Sequence, residues 1–340
     1  MKALYAEKNY EMGLRDIPIP EIGDNDLLIK VKYAGVCGSD LHAYRGEHAF
    51  RKPPVMLGHE MSGVVEKIGG KVTKFAIGDN VTVMPQIGCG VCEHCKAGRI
   101  NLCRSKTVPG TAKWVGTFGE YFNAPESVAC NLDGVSLKLG AITEPLAVAS
   151  HVLKRFPKNH NEDLVILGAG AIGLMLLIIA ESYGFKNIVI TDILDYNLDI
   201  AKKLGAKRTV NVKNENALKA VIEEFGESLA ENVIIAAGGP SILSDAFSMT
   251  RTGGNIVYFA MITKDMTLNT YPIVFKELNI FGSLNYNMED FDYAIRMLKA
   301  EKDKFEMLIT HVFPLEEAGK ALDILDKKTE NSIKMLLKNS

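Results

Sequence analysis

The chain has 340 residues, 47% apolar and 24% charged, the composition of a globular protein long enough for about two domains and not that of a disordered chain. A formal net charge of −2 gives no electrostatic ground for nucleic acid or an anionic membrane as partner. The N-terminus, Met1-Lys2-Ala3-Leu4-Tyr5-Ala6-Glu7-Lys8, lacks the apolar core of a signal peptide, and the most apolar run, Ile172 to Ala180, falls far short of the roughly 20 residues that cross a bilayer, so a cytoplasmic protein is expected.

In chain order, Leu27 to Tyr33, Gly63 to Ile68 and the β-branched run Asn80 to Met84 read as strands, the second closed by Gly69-Gly70. The first third is therefore expected to be mostly β, with short strands and many turns. Ser127 to Gly140 reads as loop and strand ends. Gly140 to Arg155 has helical spacing, with Pro145 at a plausible first-turn position. From about Asn161 the pattern changes to alternation. Strands are expected at Leu164–Leu167 and Asn187–Thr191, near Thr209, at Asn232–Ala236, and near Asn255 and Leu278. Helices are expected at Ile172–Tyr183, Leu194–Leu204, Asn214–Phe225 and Pro240–Thr250. Alternation of this length implies a parallel sheet covered on both faces, a doubly wound domain over roughly Phe156 to Gly282. Helices near Met288 to Leu298 and Leu315 to Leu325 and a strand Ser332 to Leu337 resume the mixed pattern and are expected to return to the first domain.

Three stretches carry chemistry. Gly168-Ala169-Gly170-Ala171-Ile172-Gly173 matches G-x-G-x-x-G and follows an apolar strand into a helix, where glycines let backbone approach a pyrophosphate at the positive helix end. The next strand ends at Asp192, placed to accept hydrogen bonds from an adenosine ribose and to repel a 2′-phosphate. NAD(H) is thereby favoured over NADP(H). A glycine turn without ligand is the plainer alternative. Cys89, Cys92, Cys95 and Cys103, spaced x2, x2 and x7, can close a tetrahedral thiolate site on a small lobe; the short regular spacing without a following proline favours structural zinc over an iron–sulfur cluster. Cys130 reads as a packed apolar residue.

Cys37-Gly38-Ser39-Asp40-Leu41-His42 and Gly58-His59-Glu60 together offer a thiolate, an imidazole and a carboxylate, the ligand types of a zinc that keeps one position open. Alone, such residues are as readily core cysteine and solvated acid. Glu144 is either a first-turn helix carboxylate or a group of the same site. Trp114 and Phe118, in a glycine-containing loop, are candidates for flanking a cleft.

Together these motifs resemble the zinc-containing medium-chain dehydrogenase/reductase family, in its sorbitol (polyol) dehydrogenase branch. The resemblance runs nearly the full length, through Glu144-Pro145-Leu146-Ala147, Lys276 to Ser283, Thr310 to Leu315 and the closing Lys334-Met335-Leu336-Leu337-Lys338. It implies an α/β chain with a GroES-like β-rich catalytic domain over residues 1–150, completed by 284–340, and a Rossmann NAD-binding domain over 151–283. It implies two zinc ions per chain. One is catalytic, on Cys37, His59 and Glu60, with Glu144 binding directly or through water; the other is structural, on the four cysteines. Ser39 and His42 would carry the alcohol proton to solvent and Asp40 would orient a zinc-bound histidine. Gly168, Gly170, Ala171, Ile172, Gly173 and Asp192 would hold the cofactor.

The implied reaction is hydride transfer from a secondary hydroxyl of a polyol, sugar or sugar phosphate to NAD+. Relatives suggest a homodimer or homotetramer. Two departures matter. Asn285 before Tyr286 replaces the arginine usual in sorbitol dehydrogenases and looks more like galactitol-phosphate dehydrogenases, and Asn197 stands where a basic residue often follows the ribose-binding Asp. Tyr44, Asn285 and Tyr286 are the candidate substrate contacts. The alternatives are the same chemistry on an amino alcohol or diol, as in threonine or butanediol dehydrogenases, and a non-catalytic NAD-binding zinc protein.

Overall fold

Short runs of β-branched and apolar residues up to Asn131 build eight strands, in a computed structural model that describes residues 1–111, 113–261 and 265–339. They are β1 (Lys2–Lys8), β2 (Glu11–Asp16), β3 (Asp26–Val36), β4 (Val55–Met56), β5 (Glu60–Ile68), β6 (Asn80–Val83), β7 (Tyr121–Pro125) and β8 (Ala129–Asn131). Six more follow, β9 (Asp163–Leu167), β10 (Asn187–Asp192), β11 (Arg208–Asn211), β12 (Ala230–Ile235), β13 (Thr250–Tyr258) and β14 (Asn279–Gly282), and then β15 (Ile309–Pro314) and β16 (Lys334–Lys338). The chain divides into one unit of Met1–Ala147 with the segment from Asn287 onward, and a second of Val148–Tyr286.

In the first unit β3 is the organising strand. Leu27, Ile29 and Val31 are wholly buried, and β3 pairs antiparallel with β5, β7 and β16 inside a seven-stranded sheet of order β15-β16-β3-β5-β6-β8. The chain's last strand is thus hydrogen-bonded to one of its first. β1, β2 and β4 form a separate three-stranded sheet. Together these sheets are the GroES-like β-rich domain.

The second unit is the doubly wound Rossmann domain. Its six strands pair in parallel in the order β11-β10-β9-β12-β13-β14. Val165, Val189, Val233, Ile235 and Ile256 are fully buried, as expected for strands covered on both faces. At their N-terminal ends a chain of amides fixes the register: Asn187 donates to Asp163 at 2.9 Å, Asn232 to the Asp163 carbonyl at 3.0 Å, and Asn255 to Asn232 at 3.1 Å. Asn232 and Asn255 are buried, and each finds its partner in the neighbouring strand.

Local differences from the sequence reading have local causes. The hairpin β1–β2 is short and half charged, and its register breaks between Ala6 and Lys8, so the two-residue period is obscured. β7 and β15 are likewise absent from that reading. The helix Gly38–Tyr44 is hidden by its glycine and by residues that read as ligands. Ser127 to Gly140 contains β8 and the helical turn Leu137–Gly140. The expected helix Leu315–Leu325 begins as a 3₁₀ turn, Leu315–Glu317, after Pro314 and becomes α-helical over Ala318–Lys327.

Candidate active site

At the end of β3, Cys37 N-caps the helix Gly38–Tyr44, and its backbone N–H donates to Asp40 Oδ2 at 3.1 Å. Asp40 is wholly buried. Its Oδ1 accepts from Gly58 N–H at 3.1 Å and faces His59 Nδ1 at 3.5 Å. One carboxylate therefore draws both ends of the Cys37 to Glu60 stretch together. Burial alone would raise the Asp40 pKa, but His59, Arg51 and the Cys37 N–H outweigh it and hold the carboxyl below its ordinary value. Burial disfavours charge on His59 too, yet Asp40 and the Cys37 sulfur overcome it and raise the imidazole well above the usual histidine range. The 3.5 Å contact is an ion pair and not a hydrogen bond, so Nδ1 is a buried nitrogen without a hydrogen-bond partner.

Glu60 opens β5 and is completely buried. Its position lies opposite Gly35 on β3, where an added Cβ would come within 1.8 Å of Glu60 Oε2. The missing side chain is what lets the carboxylate lie over β3. On the other side of β3, where Met335 pairs with Val36, β16 brings in Lys334. Its ammonium donates to Glu60 Oε1 at 2.7 Å, lies 2.5 Å from Oε2 and donates to the Val36 carbonyl at 2.9 Å. One potential ligand atom each from Cys37, His59 and Glu60 lie within 4.8 Å of one another. A soft thiolate, an imidazole and a carboxylate so gathered, with a Gly35 cradle, fit zinc.

The other predicted residues lie around this centre or apart from it. Ser39 and His42 share a face of the helix Gly38–Tyr44 at three-residue spacing, both half-buried, and His42 Nδ1 lies 3.4 Å from Glu47. Glu144, in the first turn of the helix Thr143–Leu153, is half-buried and contributes to the field on Lys334; it is outside the 4.8 Å ligand set. Tyr44 is buried, its hydroxyl 3.0 Å from the Tyr10 carbonyl and 3.3 Å from Asp323. Burial and then Asp323 push its phenol up to about 12. Asn285 has left-handed backbone, φ 50°, and Tyr286 is buried in the second unit. Trp114 stacks on Phe122 with centroids 5.2 Å apart, and Phe118 is wholly buried, so both are packing residues. Cys130 is buried with its sulfur 3.6 Å from that of Met288. Sequence reasoning missed Lys334, Gly35 and the full role of Asp40. The one available signal for Lys334 was a charge directly before the apolar run Met335-Leu336-Leu337.

The four-cysteine lobe is built from tight turns. Cys92 caps the turn Glu93–Lys96 by accepting from Cys95 N–H at 3.4 Å, and Cys103 accepts from Cys89 N–H at 3.5 Å. All four sulfurs lie within 4.8 Å of one another. The backbone N–H groups of Val91 and Cys92 hold the Cys89 thiol down at about 6, while desolvation pushes Cys95 up to about 11. Four sulfurs this close cannot all ionise without a cation between them. A Cβ at Gly88 would lie 2.7 Å from Cys95 Sγ, so the glycine is part of the cradle. The donor set fits closed tetrahedral zinc.

In the second unit the fingerprint turns from β9 into the helix Ala171–Ile179, with Gly170 as N-cap. Its glycines do different work. Gly168 adopts φ +116° and a Cβ there would lie 2.6 Å from that of Ala237; at Gly173 a Cβ would lie 2.0 Å from the Gly168 carbonyl oxygen; at Gly170 it would meet nothing within 4 Å. Ala171 and Ile172 form the half-buried first turn. Asp192, at the end of β10, accepts from Ala169 N–H at 2.8 Å, Ile193 N–H at 2.7 Å and Leu194 N–H at 3.0 Å, and so locks the loop. Asn197 donates to it at 3.4 Å while its own Oδ1 is buried without a partner. An open N-cap glycine at a helix N-terminus fits a dinucleotide pyrophosphate.

Known proteins resemble this chain in sequence and fold. The chain matches the family model for the alcohol dehydrogenase GroES-like domain over residues 23–134 and that for the zinc-binding dehydrogenase over residues 171–300. It is 36% identical to D-xylulose reductase A of Aspergillus niger over 92% of this chain and 90% of that protein. It is 35% identical to L-threonine 3-dehydrogenase of Proteus mirabilis, covering 96% of each. The crystal structure of galactitol-1-phosphate dehydrogenase from Escherichia coli superposes with a TM-score of 0.90 at 27% identity, over 100% of both chains.

Proposed function

Because the chain belongs to the zinc-containing medium-chain dehydrogenase/reductase family, we propose that it oxidises a secondary hydroxyl of a polyol, sugar or sugar phosphate, with NAD+ preferred to NADP+ as hydride acceptor. The observation that carries the reading is the convergence of Cys37, His59 and Glu60 within 4.8 Å, in a chain whose other unit carries the glycine fingerprint. The xylulose reductase and galactitol-phosphate dehydrogenase likenesses support a polyhydroxylated substrate; the threonine dehydrogenase likeness supports an amino alcohol as second reading.

Cys37, His59 and Glu60, with Glu144, would hold the catalytic zinc, and Cys89, Cys92, Cys95 and Cys103 a structural one. Zinc at the first site supplies Lewis-acid polarisation that lowers the pKa of an alcohol. Asp40 fixes the histidine so that its other ring nitrogen serves as ligand. Ser39 and His42 pass the hydroxyl proton outward, with Glu47 beside His42 as acceptor neighbour. Asp192 anchors the fingerprint loop and would read the ribose hydroxyls. Tyr44, Asn285 and Tyr286 are proposed as the surroundings of the substrate.

A homo-oligomer is supported by the outer edge of the Rossmann sheet. Tyr271, Val274 and Phe275 are 65%, 79% and 71% exposed beside β14, the edge strand of that sheet among the described residues, and a second copy would cover them. A cytoplasmic location is supported by six cysteines that are all free, four of them a thiolate site that a reducing compartment preserves. Among the described residues no helix is long and apolar enough to cross a membrane.

The test is a panel of polyols, sugar phosphates, diols and L-threonine with NAD+ or NADP+, followed by NADH or NADPH absorbance and paired with zinc analysis. Turnover of a polyol or sugar phosphate and loss of one of about two zinc ions in Cys37→Ser are expected. Turnover of L-threonine alone moves the substrate to the second reading. Full zinc content in Cys37→Ser would remove the catalytic assignment.

A further inference from the structure

We propose that Lys334 is a resident counter-cation, occupying Glu60 until the metal arrives, and that its charge limits how tightly the Cys37, His59 and Glu60 site holds that metal. The inference rests on reading those three residues as a metal site. It goes beyond that reading by assigning a role to a residue that ligates nothing.

Lysine is almost never buried unless its ammonium is paired. Lys334 is 4% exposed, and its ammonium donates to the Val36 carbonyl and to Glu60. Glu60 is itself one of the three ligands, and Val36 directly precedes another, Cys37. The ammonium lies 2.7 Å from one oxygen of the buried Glu60 carboxylate and 2.5 Å from the other, the geometry of a buried ion pair. The sheet dictates this meeting. β3 lies between β16 and β5, and its Gly35 leaves room for the Glu60 carboxylate.

Two consequences follow from Coulomb's law. Before metal binds, Lys334 neutralises a carboxylate that would otherwise be buried beside the Cys37 thiol, an arrangement that is costly when the partner is removed. Once a divalent cation is bound, the same ammonium repels it and competes for the shared carboxylate. Removing the positive charge should therefore weaken the metal-free fold and strengthen metal binding, two effects of opposite sign. A lysine that merely packs would lower stability in both states and leave metal affinity alone.

The experiment compares full-length wild type with Lys334→Gln, which keeps a donor without the charge, Lys334→Met, and Lys334→Arg, which keeps the charge. Zinc affinity and release are followed with a chromophoric chelator, the four-cysteine site serving as internal reference, and melting is recorded with and without zinc. Expected for Lys334→Gln or Lys334→Met is zinc binding at the first site at least about tenfold tighter, slower release, and a larger loss of melting temperature without zinc than with it. Lys334→Arg should stay near wild type. Unchanged or weaker zinc affinity in either folded neutral variant would overturn the proposal, as would failure of both to fold even with zinc present. Cys37→Ser separates the two levels. If it keeps both zinc ions, the site reading itself fails; if it loses one while Lys334→Gln binds zinc like wild type, only the counter-cation role fails.

Discussion

Replacing the fingerprint glycines one at a time by alanine should separate folding from cofactor binding. At Gly173 the new methyl would sit 2.0 Å from the backbone oxygen of Gly168, which cannot swing aside as a side chain would. Overpacking of this kind costs about 1–3 kcal/mol, a fall of several degrees in melting temperature for a domain of this size. Gly168→Ala adds backbone strain at φ +116° to a 2.6 Å approach to Ala237, so it should cost at least as much. Gly170 differs. Its φ of −71° and ψ of −173° suit any residue, and its added methyl meets nothing within 4 Å. The lost N-cap preference and the reduced freedom of the unfolded chain nearly cancel, leaving stability within ~0.5 kcal/mol of wild type. That open space is where a pyrophosphate would approach the helix N-terminus, so Gly170→Ala should weaken NADH binding about 100-fold, or ~2.7 kcal/mol. Calorimetry and NADH fluorescence titration on the three variants decide it. Wild-type NADH affinity in Gly170→Ala, or wild-type melting in Gly173→Ala, would refute the division of labour.

Three further outcomes are expected. Gly35→Ala, with its methyl 1.8 Å from Glu60 Oε2, should displace the carboxylate, destabilise the first unit by ~1–3 kcal/mol and reduce zinc content, read by melting and metal analysis. Cys103→Ser should release one zinc and make the 89–103 lobe sensitive to protease while NADH binding persists; retention of both zinc ions would count against the structural site. His48 accepts from the backbone N–H groups of Phe50 and Arg51, and burial, then Arg51, lowers its pKa to about 4. Between its ordinary value near 6.5 and 4 the unfolded chain binds this proton more readily, so stability falls as pH falls through that window. Because the ring is only half-buried, the effect is discounted to ~1 kcal/mol, and His48→Gln should flatten the pH slope of chemical denaturation by that amount.

Some of this protein is written in short stretches. The fingerprint and the four-cysteine lobe could be read directly because turn chemistry and ligand reach act over a few residues. The alternation after Asn161 announced a parallel sheet because a βαβ unit repeats its own period. Asp40 lies within the ligand motif, but that its two oxygens would hold Cys37 and Gly58 at once needed the fold. Gly35 looked like any glycine in a strand until β5 placed Glu60 against it. Lys334 and Glu60 are 274 positions apart, and no local pattern links them. The sequence alone determined which residue types could ligate zinc and which loop could receive a dinucleotide, since those properties are local. Tertiary structure alone decided that Glu60 shares its carboxylate with a buried lysine, because antiparallel pairing on both sides of β3 sets which distant side chains meet across it.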